Sequence, residues 1–427
     1  MIDIKLIRSD PEKIKAGAKK RNYDADAIVD GILKIDTRRR EATAQVEAMR
    51  AEQNAAGKKI PQIKRAGGDA SALMARMKTL SGRIKEGQAG LAELEKKQKE
   101  LLLSLPNMPD SDVPAGGKEN NQPLRYFGEK PKFEGFTPKD HVALCENLHL
   151  IDYPRGAKLA GAGSWIYRGM GARLEWALLN FFIEEHLRDG YELVLPPHML
   201  NYECGYTSGQ FPKFLDEVYW IQNPTGADRK FLLPTAETAL VSLHRDEILS
   251  ADELPKKYIA YTPCYRREAG SYRSEERGMI RGHQFNKVEM VQYTKPEDSD
   301  RAFDELVGKA ERLVRELGLH YRLSRLAAGD CSFSMARTYD IEVWIPSMGI
   351  YKEVSSASNA RDYQARRGNI RYRAEDGRPR YVHTLNASGL ATSRVFPAIV
   401  EQCQNADGSV TVPEVLRKYV GTDVLRP

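Results

Sequence analysis

Two runs of apolar or small residues in the first quarter of the chain advance in steps of three and four. The first is Ile28, Ile32, Ile35, Ala42, Val46, Met49 and Ala56, with Arg39 and Gln53 in the remaining slots. The second is Leu73, Met77, Leu80, Ile84, Leu91, Leu94, Leu101 and Leu105, with Gly87 and Gln98 in the gaps. A seam repeating every seven residues is buried only against another helix. The runs are similar in length and are joined by Gly57–Gly68 with Pro61, so the pattern predicts an antiparallel helical hairpin, with Asp69 as N-cap of the second helix. Runs of about 30 residues make an arm on the order of 45 Å long. Ala42, Ala56, Gly82, Gly87 and Gly90 weaken the seam, which suits bending around a ligand better than bracing a structure.

Charge sharpens that expectation. The net charge of the 427 residues is only +6, but residues 1–105 hold 23 Lys and Arg against 15 acids, whereas the remainder holds 42 against 44. Within 57–85 eight basic residues face one acid, Asp69; among them are Lys58, Lys59, Lys64, Arg65, Arg76 and Arg83. A basic patch concentrated on one element is the footprint expected for a nucleic-acid backbone.

Residues 106–120, rich in Pro, Gly and Asp, read as a linker between this 1–105 arm and a 121–427 domain. There, Met170–Arg188 is helical by period, and strands are expected at Tyr191–Leu195, Phe231–Leu233, Lys257–Thr262, Gln284–Tyr293, Tyr339–Trp344, Tyr351–Val354 and Tyr381–Leu385. A last helix is expected from near Gly389 and carries Arg394. Strands without regular βαβ alternation predict an α+β domain on an antiparallel sheet flanked by helices. No run of 18 apolar residues exists and the start lacks a secretory pattern, so neither a membrane span nor export is expected. Five scattered cysteines without a Cys-x-x-Cys pair predict reduced thiols in a cytoplasmic protein and no zinc site.

Four segments carry chemistry. Tyr261–Glu268 and Arg281–Glu289 read as a hairpin that places Arg266 and Glu268 on one face of a strand, with Phe285 and Glu289 on its partner. Such a face can hold a phosphate beside an amino group while an aromatic ring stacks on a base. The others are Leu233-Pro-Thr-Ala-Glu-Thr238, Glu353-Val-Ser-Ser356 with its continuation to Arg367, and Thr384-Leu-Asn-Ala-Ser-Gly-Leu-Ala-Thr-Ser-Arg394. For Asp362, Gln364, Arg366 and Arg367 salt bridging is the expected role.

The wording Arg266-x-Glu-Ala-Gly-Ser271, followed by His283-Gln-Phe-x-Lys-Val-Glu289, resembles motif 2 of class II aminoacyl-tRNA synthetases in its seryl-tRNA synthetase version. The other three segments resemble that family's serine-binding Thr-Ala-Glu, its ATP segment and motif 3, so the resemblance covers essentially the whole chain. It implies ATP-dependent activation of L-serine to seryl-adenylate and transfer to tRNA(Ser), and also to tRNA(Sec). It places Arg266 and Arg394 at the α- and γ-phosphates as the catalytic pair, with Arg267, Glu268, Val354 and Ser355 in the ATP site. Phe285 becomes the adenine platform, and Glu353 and Ser356 the ligands of ATP and Mg2+. Serine falls to Thr235, Ala236, Glu237, Glu289, Asn386 and Ser388. The basic tip is implied to grip tRNA, and residues 171–197 to build a homodimer.

Ala387, Thr392, Ser393, Ser332 and the loop Arg273–Gly278 depart from the family wording. Added atoms at glycine positions are expected to narrow the adenylate pocket. Two alternatives follow: a second seryl-tRNA synthetase that excludes an adenylate-mimicking antibiotic, or a relative that aminoacylates a non-tRNA carrier.

Overall fold

The computed structural model describes residues 1–222, 229–268 and 278–427. Ala269–Ser271 and all but the last residue of the departing Arg273–Gly278 loop lie outside the described residues. The chain divides into two compact units: Ile2–Lys19 with Tyr23–Pro106, and Met1, Lys20–Asn22 with Asn107–Pro427.

The first unit is built on the hairpin of helices α1 (Asp26–Arg65) and α2 (Ser71–Ser104), preceded by short helices at Ile4–Ser9 and Pro11–Lys20. The joint is shorter than the Gly57–Gly68 expected, because α1 continues through Pro61. Proline removes only the bond that Gly57's carbonyl would accept. The helix closes a turn later, with Ala66 N donating to Gln62 O (3.0 Å) and Gly68 N to Ile63 O (2.9 Å). Asp69 acts one position before the boundary residue Ala70: its carboxylate accepts from Ser71 N (2.8 Å) and Ser71 Oγ (2.7 Å).

The seam buries Ile32, Val46, Leu80 and Ile84. A Cβ at Gly87 would stand 2.9 Å from Val46 Cγ2, so the glycine lets the helices approach. Gln98 is explained by a buried acid that the heptads did not announce. Asp36, 1% exposed, accepts from Gln98 Nε2, Arg39 Nη2 and Arg40 Nε, each at 3.1 Å. Burial alone would raise its carboxyl; the Gln98 and Arg39 hydrogen bonds outweigh that and hold it low. A polar pair inside an apolar seam pins one register.

Eight strands form the main sheet of the second unit: β1 (Gln122–Phe127), β2 (Glu192–Leu193), β3 (Lys256–Tyr265), β4 (Gln284–Thr294), β5 (Tyr321–Arg325), β6 (Arg337–Ile345), β7 (Ile350–Arg361) and β8 (His383–Ala391). Their spatial order is β1-β5-β6-β7-β8-β4-β3-β2, antiparallel except for β2 beside β3. Three helices cover one face: α3 (Met170–Arg188), α4 (Ser299–Glu316) and α5 (Thr392–Gln402). Phe182, Phe303 and Phe396 from these helices share one apolar cluster with Val288, Met290, Val354, Leu385 and Ala387 from the strands. Alternation then turns Phe285, Lys287 and Glu289 of β4, and Asn386 and Ser388 of β8, to the opposite face.

Two expectations change. The strand predicted up to Leu385 runs on to Ala391, and α5 starts at Thr392 rather than near Gly389. The 106–120 segment is pinned: buried Asn107 donates to Ser334 O (2.9 Å) and Ala360 O (2.8 Å), and Asp110 takes two hydrogen bonds from Arg361.

Candidate active site

The floor of the site is set by register. Glu289 of β4 lies directly opposite Ser388 of β8, and paired residues in neighbouring strands share a face. Glu289 is fully buried; it forms an ion pair with Lys287 two residues earlier and accepts from Asn386 Nδ2 (3.1 Å) and Thr235 Oγ1 (3.2 Å). Thr235 precedes the short Ala236–Leu240 helix and accepts from Glu237 N (3.3 Å) as its cap. Its hydroxyl also accepts from Lys287 Nζ (2.8 Å). Lys287, part of the motif wording, is a pocket residue that the resemblance did not single out. Its signal was legible, because a lysine two residues from Glu289 on a strand must share its face.

Glu237 stands beside this pair. Burial and the neighbouring Glu289 push its carboxyl up to about 7, against the pull of Gln364, Lys287 and Arg266. Gln364 donates to Glu237 Oε1 (2.8 Å) and accepts from Thr384 Oγ1 (2.6 Å), so it orients the acid instead of salt bridging. Lys287 is committed to Glu289 and Thr235, and the hydrogen bond that Glu237 accepts comes from the neutral Gln364. Ala236 is buried in a second apolar cluster, so only its backbone can face a ligand.

Arg266 and Glu268 do not share a strand face. β3 ends at Tyr265, Glu268 takes the left-handed conformation (φ +51°), and the chain turns between them. Arg266 Nε donates to Pro234 O (3.2 Å), and its guanidinium lies over the Phe285 ring at 5.2 Å. Glu268 pairs instead with Arg281, whose Nε is 2.7 Å away. Arg267 turns outward, its Nη1 donating to Asp216 O (3.1 Å).

The segment Glu353–Ser356 sits on β7. A bulge against β6 separates Glu353, paired with Glu342, from Ser355 and Ser356, paired with Ile341 and Asp340. It sends Val354 into the apolar core. Ser355 Oγ donates to Ser388 O (2.6 Å), and Ser356 Oγ to Asp340 Oδ1 (2.7 Å). Arg394 on α5 donates to Glu353 O (2.8 Å) and pairs with its carboxylate (3.4 Å). Asp340, which the sequence did not single out, is held well above the usual carboxylate range by burial and then by Glu353. Two crowded carboxylates beside a serine hydroxyl form an oxygen donor set that fits a hard divalent cation.

Two of the departures, Ala387 and Thr392, face inward. Ala387 places its methyl in the core rather than the pocket, and buried Thr392 donates to Glu175 Oε1 (2.6 Å). At these two positions the expected narrowing does not occur, because strand alternation sends Ala387 to the other face from Asn386 and Ser388.

Known proteins identify the family of the chain. The model of the seryl-tRNA synthetase N-terminal domain matches residues 1–109, and that of the tRNA synthetase class II core domain (G, H, P, S and T) matches 219–403. "Serine--tRNA ligase 2" of Clostridium acetobutylicum is 62% identical, and "Serine--tRNA ligase" of Fervidobacterium nodosum 46%, each covering 100% of both chains. The crystal structure of Pyrococcus horikoshii seryl-tRNA synthetase complexed with ATP superposes with a TM-score of 0.93 at 36% identity, covering 100% of both chains. The chain belongs to the seryl-tRNA synthetase family, class II ligases that join serine to tRNA.

Proposed function

We propose that this chain condenses L-serine with ATP on the polar face of its sheet and passes the serine to tRNA(Ser). The convergence of Thr235, Glu237, Lys287, Glu289 and Asn386 into one hydrogen-bonded pocket carries this reading. The serine ammonium binds between Glu237 and Glu289, and its hydroxyl is read by Asn386 and Ser388, whose buried polar atoms reject an apolar side chain. Adenine stacks on Phe285 beneath Arg266, which neutralises the α-phosphate as the serine carboxylate attacks it. One phosphorus–oxygen bond forms, the bond to the β-phosphate oxygen breaks, and pyrophosphate leaves. The work is positioning and charge neutralisation. Arg394 meets the γ-phosphate. Glu353 and Ser356, with Asp340 behind, would hold Mg2+, which supplies further neutralisation when bound. The tRNA terminal hydroxyl then attacks the acyl carbon, and AMP departs.

Lys58, Lys59, Lys64, Arg65, Arg76 and Arg83 are all exposed on the hairpin, Arg76 in an ion pair with Glu52, and we assign them to the tRNA backbone. On α3, Trp176 (54% exposed) lies beside a 280 Å³ pocket lined by Arg173, Asn180 and Tyr419, a face suited to a second copy in a homodimer. Among the described residues no helix is long and apolar enough to cross a membrane, and scattered thiols fit the cytoplasm.

ATP–pyrophosphate exchange across serine, threonine, alanine and cysteine tests the assignment. Serine-dependent exchange that Arg394→Ala abolishes is expected; equal exchange with every amino acid would sink it.

A further inference from the structure

Glu175 is a buried acid that the chemistry above leaves unused. It lies on α3, is 3% exposed, and its side chain reaches the two elements that carry the nucleotide residues. Oε1 accepts from Asn286 Nδ2 at 2.8 Å and from Thr392 Oγ1 at 2.6 Å. Asn286 follows the adenine platform Phe285 on β4, and Thr392 opens α5 two residues before Arg394. Thr392 Oγ1 also lies 3.2 Å from Asn286 O, which closes the cluster. Asn286 Oδ1 accepts from Tyr261 Oη at 3.3 Å, so its amide is held from both ends. Glu175 Oε2 is buried with no hydrogen-bond partner among the described residues.

We propose that Glu175 is a positioning residue for the nucleotide: one buried oxygen fixes Phe285 and Arg394 relative to each other, and so sets the span between adenine and γ-phosphate. This rests on the ATP-site reading above. A single acceptor shared by two donors is a short, stiff link between a strand and a helix start, and small misplacements of nucleotide-binding groups are costly. The link uses an acceptor and not a charge. No cation lowers this carboxyl; burial pushes it up to about 7, and the titratable groups facing it are the phenols of Tyr167 and Tyr261. Glutamine, with the same shape and the same acceptor, therefore serves. Thr392, a departure from the family wording, gains a purpose: its hydroxyl supplies a donor that valine lacks.

The test is ATP–pyrophosphate exchange with separate ATP and serine titrations, using wild type, Glu175→Ala, Glu175→Gln, Thr392→Val and Arg394→Ala. Wild-type exchange that Arg394→Ala abolishes establishes the site reading independently. Glu175→Ala is then expected to raise KM for ATP about tenfold or more while KM for serine stays within about twofold. Glu175→Gln should restore KM for ATP to within about threefold, and Thr392→Val, which loses one of two donors, should fall between. KM values that rise together, no change in Glu175→Ala, or a glutamine variant as impaired as alanine would overturn the proposal. If Glu175→Ala does not fold, Thr392→Val decides: a rise in KM for ATP alone supports it, and wild-type values refute it.

Discussion

Lys58, Lys59, Lys64 and Arg65 lie exposed at the hairpin end, whereas Lys287 is 6% exposed and locked between Glu289 and Thr235. The same side-chain chemistry is used in opposite ways. Exposed cations are screened by water and salt and act as a pooled field, so no single one is decisive. A buried cation is matched one-to-one, and removing its partner leaves a charge with nowhere to go. The arm is therefore suited to a long, uniform polyanion, and the pocket to one small zwitterion.

The largest test of that contrast is Lys287→Met. It leaves Glu289 buried beside Glu237 with no ammonium, and the loss of one member of a buried pair costs about 3–5 kcal/mol. Urea unfolding should show a drop of that size, and serine-dependent exchange should vanish. A loss under about 1 kcal/mol would place Lys287 with ordinary surface pairs. The counterpart is Lys58, Lys59, Lys64 and Arg65 changed together to serine. Unfolding should barely respond, and exchange without tRNA should match wild type. KM for tRNA in aminoacylation should rise, and the slope of log affinity against log salt should flatten by about 0.7–0.9 per phosphate contact removed. An unchanged salt slope would take the tip out of the tRNA interface.

A smaller effect separates the two acids of the pocket. In the free protein Glu237 keeps its proton up to about 7 instead of 4.5, chiefly through burial and then Glu289. A raised carboxyl favours the folded state at low pH, and that contribution is lost as pH climbs from 4.5 through 7. On the proposed pairing of Glu237 with the serine ammonium, binding runs the other way, because the incoming cation would need the carboxylate. KM for serine should therefore rise as pH falls below 7, by up to about tenfold per unit, and Glu237→Gln should flatten the profile. A wild-type KM that is constant from pH 5.5 to 7.5 would contradict the pairing of Glu237 with the ammonium.

Sequence spacing revealed the arm and the Met170–Arg188 helix, because heptad and helix periods are local, whereas the motif segments were legible through their resemblance to the family. What it missed was made by contacts between distant segments. Asp340 matters only because β6 pairs in a register that sets it against Ser356, and Glu175 only because a helix read for its apolar stripe also turns one acid toward Asn286 and Thr392. Arg266 and Glu268, two residues apart, read as one strand face, but the strand ends first and Arg281 captures Glu268. Strand periodicity says nothing about where a strand stops.

The arm also contains a comparison at the scale of one methyl group. Glycine within a helix is less favourable than alanine by about 1 kcal/mol, so substitution at an open position should stabilise by roughly that much. Gly82 and Gly90 are such positions, since a Cβ there meets nothing within 4 Å. Gly87 is not, because the same atom would lie 2.9 Å from Val46 Cγ2, on a short, buried and stiff side chain. Gly82→Ala and Gly90→Ala should each raise the melting temperature of the hairpin unit, whereas Gly87→Ala should fail to raise it or lower it. Val46→Ala combined with Gly87→Ala should then cost less than the two single changes added together, because the deleted methyls make room for the new one. If all three alanines stabilise equally, the helices do not approach closely at Val46, and the glycine in the seam loses its packing role.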